Sequence, residues 1–95
     1  MPRDLMTECE RRTLYKINGV RQWRWKAVRV ADIIDVVPAA DVRCADCSGA
    51  IRLSKQKVAT GPQDHAEHRV RRDSEGCRAG QYFQGTHRMS SSPVV

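Results

Sequence analysis

The side chains in this 95-residue chain most able to do chemistry near neutral pH are four cysteines and three histidines. Cys44 and Cys47 form a Cys-x2-Cys pair, which puts two thiolates on one tight turn whose backbone N–H groups point at sulfur. Ser48-Gly49 supplies the small residues that such a turn needs. His65 follows after seventeen residues and His68 after two more, and on a helix the two imidazoles would face the same way. Cys44, Cys47, His65 and His68 then complete the tetrahedron of nitrogen and sulfur donors that zinc prefers. Cys77 is an equally acceptable fourth ligand in place of one histidine. Cys9 reads as a free thiol and His87 as a bystander. A redox role for the pair is disfavoured, because no strand–helix–strand pattern surrounds it and no aromatic or proline sits between the cysteines.

The rest of the composition explains why a metal is needed. Leu, Ile, Val and Phe together number only 18 of 95 residues, and 17 Lys and Arg against 11 Asp and Glu leave a net charge of +6. Apolar burial alone is marginal in such a chain, and small domains in this position are commonly stapled by metal or disulfide. No apolar run approaches the roughly 20 residues that span a bilayer, so no membrane partner is expected. The first ten residues have neither the apolar core nor the cleavage site of a secretory signal, so the expected compartment is a reducing cytoplasm, where cysteines favour metal over disulfide.

The elements that must position these ligands follow from pattern. Residues 1–11 are polar and mixed in charge and read as a flexible arm. Thr13 to Ile17 and Val20 to Val30 are β-branched, aromatic and basic, and Asn18-Gly19 between them signals a hairpin turn. A two-residue loop would set Ile17 opposite Val20 and Leu14 opposite Trp23. A loop of three or five residues would gather Tyr15, Trp23 and Trp25 on one face, and clustering of the aromatics favours that odd loop. The apolar phase moves from odd to even positions beyond Trp25, which predicts a bulge near Ala27. Val30 to Val37 is a short helix or a strand ended by Pro38. Ala50 to Ser54 alternates and completes a knuckle hairpin, and His65 to Arg72 reads as a helix ending by Gly76. The expected fold is a small zinc-stabilised α+β domain over 12–80, with an N-terminal β-hairpin, a CxxC zinc-knuckle hairpin and a short helix. Residues 81–95 form an extended or disordered tail.

The stretch from Val42 to Leu53, followed by Asp64-His65-Ala66-Glu67-His68-Arg69 and Gly76-Cys77, resembles the zinc-finger-like segment of the CoiA-like competence proteins. The resemblance covers roughly residues 28–77 and maps Cys44, Cys47, His65 and His68 onto the finger. Ala66 stands where that family has an aromatic residue, and the family's nuclease-like domain has no room in this chain. The resemblance therefore implies a stand-alone finger module of bacterial or phage type and lends nothing to catalysis. Asp64-His65 after a CxxC also resembles the Asp-His pair of HNH-type nucleases, but the Asn and second knuckle of that motif are missing, and no Ser/His/Asp or paired-carboxylate constellation is present.

Arg69, Arg71, Arg72 and Arg78 follow the histidines and are the first candidates for phosphate contacts. Arg21, Arg24, Lys26 and Arg29 lie on the hairpin beside Trp23 and Trp25. The tryptophans are expected to supply core, with Arg24 and Lys26 solvated on the opposite face. The functional expectation is a non-catalytic, nucleic-acid-associated (DNA-binding) or regulatory zinc module; the alternatives are a protein-interaction adaptor on the same scaffold and, behind it, a degenerate HNH-type nuclease. The oligomeric state is left open.

Overall fold

The computed structural model describes residues 5–36 and 41–95. In chain order the elements are β1 (Glu8–Ile17), β2 (Val20–Arg29), α1 (Val30–Ile33), β3 (Val42–Arg43), β4 (Ile51–Ser54), β5 (His65–His68) and α2 (Arg71–Gly76). They form an antiparallel three-stranded sheet in the order β2-β1-β3 and a separate antiparallel pair β4-β5. This is the small α+β domain with hairpin, cysteine knuckle and short C-terminal helix that the sequence predicts.

The hairpin has the two-residue loop. Asn18 at φ 50° and Gly19 at φ 80° both take left-handed backbone, and Ile17 faces Val20 while Leu14 faces Trp23. Asn-Gly is the residue pair that such a primed turn requires, and its twist matches that of the strands. Turn geometry therefore overrides aromatic clustering: Tyr15 lies on the face opposite to Trp23 and Trp25. The register runs unbroken from Glu8↔Arg29 to Ile17↔Val20, so there is no bulge at Ala27. The phase of the apolar residues changes because Val28, opposite Cys9, faces the core at the base of the ribbon, whereas the tryptophans occupy its other face.

β1 begins at Glu8, within the stretch read as an arm, and Cys9 is fully buried. Met6 bridges to Ala66, so the segment before β1 ties the long sheet to the short one. Of the expected 30–37 segment, Val30–Ile33 is helical, with Val30 and Ile33 buried; Val37 and the proposed stop at Pro38 lie outside the described residues.

His65 to His68 form a strand, not the start of a helix. Ala66 and Glu67 are good helix formers, but the alternating β4 presents backbone groups that only a partner strand satisfies, and tertiary pairing outweighs such propensities. Helix begins only at Arg71 and stops at Gly76, delivering Cys77.

Buried hydrophobics among the described residues are Cys9, Val30, Ile33, Val42, Cys44, Cys47, Ile51, Ala66 and Cys77. The core of the molecule is thus built largely around its own cysteines.

Candidate metal centre

The four ligand-bearing residues arrive at the core by three local devices. Cys44 and Cys47 sit on the turn between β3 and β4, closed by Cys44 N–H to Gly49 O (2.9 Å) and Ser48 N–H to Cys44 O (2.9 Å), with Ser48 at φ 64°. His68 is the last residue of β5, opposite Ile51, on the strand face that looks inward. Cys77 follows α2 immediately and opens a second, smaller knuckle, closed by Gly80 N–H to Cys77 O at 2.8 Å.

The four donor atoms of Cys44, Cys47, His68 and Cys77 lie within 4.8 Å of one another. Cys44 Sγ is 3.7 Å from Cys77 Sγ, and Cys47 Sγ is 3.4 Å from His68 Nε2. A tetrahedron with zinc–sulfur bonds of about 2.3 Å has sulfur–sulfur edges of about 3.8 Å and sulfur–nitrogen edges of roughly 3.5 Å. The two contacts match those edges, and none of the cysteines is in a disulfide. Every sulfur of the cluster also accepts one backbone N–H at 3.4 Å: Asp46 to Cys44, Gly49 to Cys47 and Ala79 to Cys77. Such donors stabilise thiolates, the form a metal binds. The three cysteines are essentially inaccessible, at 1% exposure or less.

Charge in the cluster is arranged for a cation. Hydrogen bonding from the Cys47 thiol, helped by His68 and by the Asp46 and Cys47 N–H groups, outweighs burial and holds Cys44 down at about 3. Cys47 is pushed up by that same hydrogen bond to Cys44 and by burial, and burial pushes Cys77 up to about 11. Asp73 packs over Gly49 and has its Oδ2 buried without a hydrogen-bond partner. A buried thiolate beside a buried, unpartnered carboxylate oxygen calls for positive charge, and a three-thiolate, one-imidazole set is a standard donor set for a structural zinc ion. The cluster fits zinc, with Cys44, Cys47, Cys77 and His68 as the residues that would hold it.

A protein-family model matches residues 2–95. The chain belongs to that family. The match runs over hairpin, knuckles and tail alike. No curated protein and no solved structure matches the chain.

Of the residues singled out from sequence, the structure gathers Cys44, Cys47, His68 and Cys77 and leaves His65 apart. On a strand, residues three apart point to opposite faces, so the helix-based pairing of His65 with His68 does not form. His65 instead places Nδ1 2.7 Å from Gln63 O and Nε2 3.2 Å from Glu67 Oε1. Asp64 accepts the Gln56 N–H at 2.7 Å and closes the β4–β5 loop. Cys9 is buried beside the cluster but outside it, its thiol pushed up to about 11, first by burial.

His87, read as a bystander, is a clasp. Its Nδ1 accepts the Arg78 N–H at 3.1 Å, so its Nε2 carries the proton and donates to Asp46 O at 3.1 Å, joining the two knuckles. The tail that carries it has no regular element, yet Ser90 N–H bonds Cys47 O (2.9 Å) and Val94 N–H bonds Ser48 O (2.8 Å). Cys77 was raised by its place shortly beyond His68, and the small pair Ala79-Gly80 after it is a further signal that could have favoured it; His87 left no such signal.

The basic residues also differ in availability. Arg69 donates to Ile51 O, Arg71 pairs with Glu75 and covers the Tyr82 ring, and Arg72 and Arg78 lie exposed near the second knuckle. Trp25 carries the guanidiniums of Arg12 and Arg43 over its ring, 5.1 and 4.2 Å from the centroid, but Trp23 is 66% exposed and supplies no core. Among the described residues, no helix is long and apolar enough to cross a membrane.

Proposed function

We propose that this protein is a zinc-stabilised, nucleic-acid-associated module of the cytoplasm without catalysis of its own. The observation that carries the reading is the closed donor set: four protein ligands fill a tetrahedron in the core, leaving no open position for substrate, which is the mark of a structural zinc site and not a catalytic one. A domain held this way needs little apolar surface and is free to carry the excess of positive charge seen here. The resemblance to the CoiA-like finger segment supports the same reading at Cys44, Cys47 and His68, with Cys77 taking the place the resemblance gave to His65.

Two measurements test this. Native mass spectrometry of the protein with and without chelator is expected to show one zinc per chain, lost with the fold. Binding to nucleic acid is expected at low salt and to weaken steeply as salt rises, because phosphate contacts release counterions. Absence of zinc rejects the scaffold; absence of any binding at low salt moves the function to a protein-interaction adaptor.

A further inference from the structure

The positive charge of this molecule is not spread over its surface. The segment 11–29 holds Arg11, Arg12, Lys16, Arg21, Arg24, Lys26 and Arg29 and no acidic residue, whereas the other 76 residues hold 10 basic and 11 acidic ones. The hairpin thus carries more than the whole net charge, and the remainder is close to neutral. None of the salt bridges among the described residues involves a side chain of 11–29. Elsewhere several cations are already matched, as in Arg43–Glu10, Arg52–Glu67, Lys55–Asp35 and Arg71–Glu75.

The shape agrees with the charge. β3 pairs with β1 only at Glu10 and Arg11, so the ribbon beyond is two-stranded and reaches out from a molecule 49 Å in its longest dimension. Strand register assigns its faces: Arg12, Leu14, Lys16, Arg21, Trp23 and Trp25 share one, Arg11, Arg24 and Lys26 the other. On the first face the inner tryptophan is covered by two guanidiniums, while the outer one, Trp23, is bare beside a half-exposed Leu14. An exposed indole set among unpaired cations is the composition of a stacking platform for unpaired bases with a phosphate track beside it.

Resting on the nucleic-acid reading above, we infer that the β1-β2 ribbon is the contact surface and that its ligand is single-stranded nucleic acid, with Trp23 stacking on a base and Lys16 and Arg21, on the same face, among the cations that meet phosphate. An intact duplex offers Trp23 no free base face. A second copy of the chain is disfavoured, because it would bring seven cations, none of them in a salt bridge with an acidic side chain, against seven more.

The test uses the zinc-loaded protein and a fluorescein-labelled oligothymidylate of about 20 nucleotides, with a mixed-sequence duplex of the same length. The single strand is expected to bind tighter than the duplex and to quench tryptophan emission in the parent but not in Trp23→Phe. Trp23→Ala should weaken strand binding about ten-fold or more. The double variant Lys16→Gln/Arg21→Gln should lower the salt slope by roughly 1.4, at about 0.7 per lost phosphate contact on a single strand. Zinc content checks that each variant has folded, and Lys57→Gln is the control expected to bind like the parent. If the strand binds but the hairpin variants bind as the parent does, or if Arg71→Gln/Arg72→Gln alone lowers the slope, the ribbon is not the contact surface, although the nucleic-acid reading survives. If the duplex binds tighter and Trp23→Ala changes nothing, stacking is wrong. If neither binds at low salt, the functional reading itself fails.

Discussion

At the residue scale, the ligand set turns on whether the second imidazole or the third thiol completes the tetrahedron, and the strand conformation of His65–His68 answers it. Cys77→Ser is therefore expected to abolish zinc binding, and His65→Ala to retain a full equivalent, read by native mass spectrometry or by the thiolate bands of the cobalt-substituted protein. The pKa directions add a pH dependence. In the metal-free protein Cys77 is raised to about 11 and Cys47 is raised as well, so at neutral pH both hold protons that zinc must displace, while Cys44 at about 3 is already ionised. Zinc affinity should thus climb with pH by about 100-fold per unit around neutrality, two protons being released, and zinc should leave on acidification. A competition titration against a chromophoric chelator at several pH values reads the slope; a pH-independent affinity would contradict the assignment.

At the element scale, the three cysteine ligands depend on turns with little tolerance. A Cβ at Gly80 would stand 1.9 Å from the Ser74 carbonyl oxygen, a backbone atom that cannot swing aside, so Gly80→Ala must displace either α2 or the second knuckle. It is expected to lose about 2 kcal/mol or more of stability and to weaken zinc binding with it, measured by chemical denaturation of the zinc-loaded protein. The hairpin shows the opposite behaviour. Trp23 is so exposed that its truncation removes little buried area, and Trp23→Ala should change stability by only about 0.5 kcal/mol or less. A large aromatic whose removal costs little in folding is free to serve in binding.

At the scale of the whole molecule, the two sheets share a core built largely from the cysteines, with the Met6–Ala66 bridge as a backbone tie between the sheets and Arg12 and Arg43 holding the end of the tail. Removing zinc should consequently abolish cooperative unfolding and collapse amide dispersion, since structural zinc contributes about 10 kcal/mol or more in apparent binding energy, more than this sparse core can replace. Survival of a cooperative transition after complete chelation would refute that dependence. The clasp makes a finer prediction. His87→Ala removes two hydrogen bonds that link the knuckles and should cost about 1–2 kcal/mol, appearing as faster zinc transfer to a chelator.

Some of this was legible before any fold was known, and the division has a physical cause. Local chemistry is written locally: Cys44-x2-Cys47 with Ser48-Gly49 specifies a knuckle, Asn18-Gly19 specifies a turn, and the shortage of apolar residues forces dependence on a staple. Whatever depended on long-range pairing was not legible. The segment His65–His68 has helical composition, and only the unsatisfied edge of β4 makes it a strand, which puts His65 on the face opposite to His68, buried against Gln63 and Glu67, and leaves the fourth position to Cys77. Likewise the tail carries no periodicity, because its order comes from hydrogen bonds donated to the Cys47 and Ser48 carbonyls across the chain. Donors and turns are set locally by residue type, but which donors meet depends on the fold, because the direction of a side chain follows from its strand's partner and not from its neighbours in sequence.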